Sequence, residues 1–118
     1  NFDGILSTIN TLKSIYNKKP IGLFVMKNDK EANLIIKAVE ERFEMLLLSG
    51  SEERGLMSGF ELAKLFENHG FINFLLINEL ETAFDHLRKI CKTQNLPGLI
   101  FGSHYISETV FNKFGILA

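Results

Sequence analysis

Apolar residues along the chain alternate between two periods. Ile5, Leu6, Ile9, Leu12, Ile15 and Tyr16 recur at helical spacing and predict an amphipathic helix, which Asp3 caps by accepting first-turn N–H groups. Pro20 ends that link, and residues 21–26 are then continuously apolar. A strand reads this way when both of its faces are covered, as in a parallel sheet. The alternation repeats. Asn28 and Glu31 form a capping box for a helix with Leu34, Ile35, Ala38 and Val39 as its stripe, followed by a strand over 44–48. Ser58 and Glu61 form a second box, the next helix buries Phe60, Leu62, Ala63, Leu65 and Phe66, and Gly70 stops it in a left-handed turn. A third strand over 72–77 leads to a helix opened by Asn78 and Glu81, with Leu80, Ala83, Phe84, Leu87, Ile90 and Cys91 inward. Residues 95–97 turn the chain into a fourth strand over 98–102. A last helix carries Ile106, Val110, Phe111 and Phe114 and stops at Gly115.

Strand, helix, strand at this spacing implies right-handed crossovers and helices on both faces of a mostly parallel sheet. The expected fold is α/β, a three-layer Rossmann-like domain. No linker, repeat or low-complexity segment interrupts it, so residues 1–118 are read as one domain. Ligands of such sheets bind beyond the C-terminal strand ends. Here that edge comprises residues 27–30, 49–54, Asn78 and 102–105.

Composition narrows the function classes. The 118 residues are enough for a core without disulfide or metal staples, and 46% apolar content is ordinary for a globular domain. The formal charge of −1, with no basic run longer than two residues (Lys18-Lys19 and Arg88-Lys89), offers no attraction to nucleic acid or anionic lipid. Cys91 is the single cysteine, so no internal disulfide forms, and its helical spacing reads as an inert packed thiol suited to a reducing cytoplasm. No apolar run is long enough to span a bilayer, and no signal peptide is visible. The chain begins without Met, which suits a fragment of a longer protein.

Candidate chemistry is sparse. The first βα loop has no glycine-rich dinucleotide fingerprint, and no phosphate-loop sequence occurs. His69, His86 and His104 fall on separate elements, with no metal-ligand spacing. His69 precedes a helix-ending glycine and reads as a C-terminal cap; His86 reads as solvent-facing. The best local signal is Phe101-Gly102-Ser103-His104-Tyr105. Glycine after a strand permits a sharp turn, and Ser103 then presents a hydroxyl and an N–H at a helix start. That place suits a carboxylate or phosphate, or Ser103 merely caps the helix. Asp29-Lys30 is either a helix start or a charged pair at the site edge. Arg54 lies in a loop with Glu52 and Glu53 and has a solvated arginine as its plain alternative.

Five short motifs, in order and with the right elements between them, resemble the C-terminal domain of the folylpolyglutamate synthase/dihydrofolate synthase family of the Mur ligase superfamily. Asn1-Phe2-Asp3-Gly4 is similar to the end of the family's D-x-A-H-N-P-x-G segment. Asp29-Lys30-Glu31 resembles D-K-D, and Arg54-Gly55-Leu56 resembles R-A-L. Glu81-Thr82-Ala83-Phe84 resembles E-E-A-L, and Gly102-Ser103-His104-Tyr105 with Val110 resembles G-S-L-Y followed by E-V. The similarity runs over nearly the whole chain. Phe2 stands where the family has Pro, and His104 stands where it has an aliphatic or aromatic residue. The Asp and His of the first motif would precede Asn1.

The resemblance implies a domain of an ATP-dependent amide ligase. In that chemistry ATP phosphorylates a pteroate or folate carboxyl group and the amine of glutamate attacks the acyl phosphate. ATP, Mg²⁺ and the catalytic lysine would belong to an N-terminal ATP-binding domain absent from this chain. This domain would close over the cleft, with Asn1 on the nucleotide side and Ser103 and His104 on the glutamate side. Asp29, Lys30 and Arg54 would be edge residues, with no catalytic residue and no metal ligand of its own. Two other readings stand beside it: a stand-alone flavodoxin-like binding or signalling module, and the same domain of a cell-wall Mur ligase.

Overall fold

Four strands form one sheet: β1 (Ile21–Val25), β2 (Met45–Leu48), β3 (Phe74–Leu76) and β4 (Gly98–Gly102). The computed structural model describes residues 17–26, 42–50, 56–71 and 73–102, the last two by backbone alone. It also describes helical positions Ser7, Asn10, Thr11, Ser14 and Ile15, and Asn33, Leu34, Ile36 and Lys37. The predicted last helix and the boxes at Asp3 and at Asn28/Glu31 lie outside the described residues.

The strand order is β3-β2-β1-β4, and every described pairing is parallel. Parallel pairing requires a crossover between successive strands, and right-handed crossovers place helices by the direction of travel. The chain steps outward from β1 to β2 to β3, then returns past β1 to β4. Helices of the outward steps therefore cover one face and the helix of the return step covers the other. On the first face Ile36 and helix α1 (Gly59–Asn68) pack with Phe24, Leu46 and Leu48. On the second, helix α2 (Leu80–Gln94) sets Ala83, Phe84 and Leu87 against Ile21, Leu23 and Leu47. Alternate residues of each strand serve opposite cores, which explains why β1 is apolar throughout and wholly buried.

The first core is built on aromatic rings. Phe24 meets Phe43 and Phe66 edge-on at centroid distances of 5.7 and 5.6 Å, and Phe66 meets Phe71 at 5.6 Å in the same manner. Such T-shaped pairs set the positive ring edge against a negative face and add about 0.5–1.5 kcal/mol each beyond area burial. Gly22 leaves room for this cluster, because a Cβ there would sit 2.7 Å from the Phe43 ring.

Helix ends follow local chemistry. Ser58 accepts the Glu61 N–H at 3.2 Å, as the capping box predicts. His69 is the C-cap of α1, and Gly70 (φ 80) completes the stop, with Gly70 N–H donating to Glu67 and Phe71 N–H to Phe66. Helix α2 ends at Asn95 in the left-handed region, and its start is at Glu79 rather than Asn78.

Three residues assigned to buried stripes are exposed: Ile15, Leu34 and Phe60, at 67%, 63% and 59%. At 33–37 the buried residue is Ile36. The run Leu34-Ile35-Ile36 permits two stripes a fraction of a turn apart, and contact with the aromatic core selects the one containing Ile36. The Phe60 ring lies instead under the Lys64 ammonium one turn on, 4.9 Å from its centroid, a cation–π contact available at a helix surface.

Candidate functional site

Direction reverses between β1 and β4, which makes that pair the topological switch point of the sheet. In open parallel sheets ligands bind beyond the C-terminal strand ends at such a point. Val25 pairs with Gly102 in the register, so both strands end at one level. Residues that follow Val25 and residues that follow Gly102 therefore leave from adjacent points. Two of the motif groups predicted from sequence come after these strands in the chain: Asp29 and Lys30 after β1, Ser103 and His104 after β4. Arg54 belongs to the β2–α1 connection, and Asn1 opens the chain. All six lie outside the described residues, so the register brings together the origins of two motifs and describes no side chain of theirs.

The described part of this edge is tightly built. Ser49 continues β2 beyond its last residue, its N–H donating to the Phe24 carbonyl at 3.1 Å. Its side chain is fully buried, and its Oγ has no hydrogen-bond partner. The sequence reading included Ser49 only as part of the edge; a lone Ser after three leucines carries no signal of a buried hydroxyl. Met57, beyond the connection, donates its N–H to the Met26 carbonyl at 2.9 Å, tying the β2–α1 connection to the end of β1.

Electrostatics distinguish the helix starts. The α1 start carries the Ser58/Glu61 box. The α2 start carries Glu79, whose Oε2 accepts from the Thr82 hydroxyl at 3.1 Å, and Glu81 in the first turn. These carboxylates already answer the positive ends of both helices, so neither start favours a further anion.

Elsewhere the two described histidines and the cysteine lie at separate positions. His69 Nε2 lies 2.9 Å from Asn33 Oδ1, joining the α1 end to the helical stretch at 33–37, and His86 is exposed on α2. Cys91 is half-buried near Gly98, at the opposite edge of the sheet, and burial pushes its thiol above the ordinary range. A protonated, packed thiol away from the ligand edge is a poor nucleophile. Among the described residues no three His, Cys, Asp or Glu side chains converge to hold a metal ion, and no helix is long and apolar enough to cross a membrane.

No protein-family model matches the chain, and no curated protein matches it. Solved structures do. The chain is similar to Mycobacterium tuberculosis folylpolyglutamate synthase complexed with ADP, at TM-score 0.67 and 17% identity over 86% of this chain and 25% of that one. Another structure of the M. tuberculosis synthase, complexed with ADP and AMPPCP, gives TM-score 0.60 at 17% identity over 71% and 20%. The Thermotoga maritima folylpolyglutamate synthase gives 0.66 at 17% identity over 100% and 27%. The chain thus spans 20–27% of the length of these structures. At this identity the likeness is one of fold: a parallel α/β sheet shared with a segment of each of those three chains.

Proposed function

We propose that this chain is the C-terminal domain of an ATP-dependent amide ligase that adds glutamate to folate or dihydropteroate. The observation that carries the reading is the agreement of two independent lines. The ordered motifs of the sequence resemble this family over nearly the whole chain, and the fold is similar to folylpolyglutamate synthases over 71–100% of it. The pairing of Val25 with Gly102 supports it, because the chain segments that carry the Asp29-Lys30 and Ser103-His104 motifs start from neighbouring strand ends.

In this reading the ATP-binding domain of the same longer chain holds ATP and Mg²⁺ and performs phosphoryl transfer, which depends on charge stabilisation by metal and lysine. The domain's own work is to bind and orient. Ser103 and the backbone N–H groups of its helix start would hold the glutamate carboxylate, where the helix dipole favours negative charge. His104 would lie beside it, Asn1 would face the nucleotide, and Asp29, Lys30 and Arg54 would line the edge. The stand-alone flavodoxin-like alternative fares worse, since its order is 2-1-3-4-5 and this sheet runs β3-β2-β1-β4.

The reading is tested with the longer parent protein and this chain side by side, each purified and given ATP, Mg²⁺, dihydropteroate or folate, and glutamate. The parent should release ADP only with both acceptor and glutamate present, and the isolated chain should release none. Robust ATP turnover by the isolated chain, abolished by a point change within it, would refute the assignment.

A further inference from the structure

We draw no further inference here: the strongest candidate, the fully buried Ser49 hydroxyl at the C-terminal end of β2, carries nothing, because residues 27–32, 51–55 and 103–118, the segments that would have to complete a site there, lie outside the described residues.

Discussion

A hydroxyl sealed from water without a partner costs about 1–3 kcal/mol, and Ser49 Oγ is in that position. Ser49→Ala removes the unsatisfied group and leaves the shape nearly intact. It should hold or raise stability, by about 1 kcal/mol in chemical denaturation; a loss of similar size would mean that the hydroxyl has a partner in solution. Cys91 gives a second residue-scale test. Its thiol is raised by burial, so the folded state holds the proton more tightly than the unfolded one. That contribution to stability is fully present below the unfolded thiol's pKa and is lost as pH rises through the folded one. Alkylation of Cys91 under mildly alkaline, native conditions should be slower than that of a free thiol, and equal after unfolding. For Ser103, the carboxylate-holding role predicts that Ser103→Ala in the parent raises the glutamate requirement by about one to two orders of magnitude, with ATP affinity little changed. An unmoved glutamate dependence with a stability loss of about 1 kcal/mol would make Ser103 a helix cap alone.

Elements were legible wherever local chemistry decides them. The Ser58/Glu61 box, the Gly70 stop and the Asn95 turn all depend on residues within a few positions of one another, and the structure has each of them. Ser58→Ala should accordingly cost about 1 kcal/mol, read by thermal or chemical denaturation; no change would mean that the Glu61 N–H finds another acceptor. What local pattern does not decide is which edge of an apolar stripe meets the sheet. Phe60 sits at the stripe's margin in the first turn of α1 and turns to Lys64, while Leu34 yields its place to Ile36. Periodicity marks a face to within a fraction of a turn, and tertiary packing chooses the rest. The candidate site was legible in a different sense: strand and motif order locate Asp29, Lys30, Ser103 and His104 along the chain. The adjacency of their origins depends on strand order, which no local pattern encodes.

At the scale of the whole molecule, the return of the chain past β1 does two things. It separates the two cores and makes β1 and β4 the switch-point pair. The aromatic core centres on Phe66, which touches the rings of Phe24, Phe71 and Phe74. Phe66→Ala should cost about 3–5 kcal/mol, a large share of a domain's stability, and its effect on folding should far exceed that of any edge substitution. Mass spectrometry of the reaction product tests the proposed glutamate ligase activity. Parent protein incubated with ATP, Mg²⁺, glutamate and folate or dihydropteroate should yield acceptor extended by one glutamyl residue through an amide bond, with ADP formed in equal amount. Unmodified acceptor from a folded parent that consumes ATP, or glutamate passed over for a cell-wall precursor, would contradict the account.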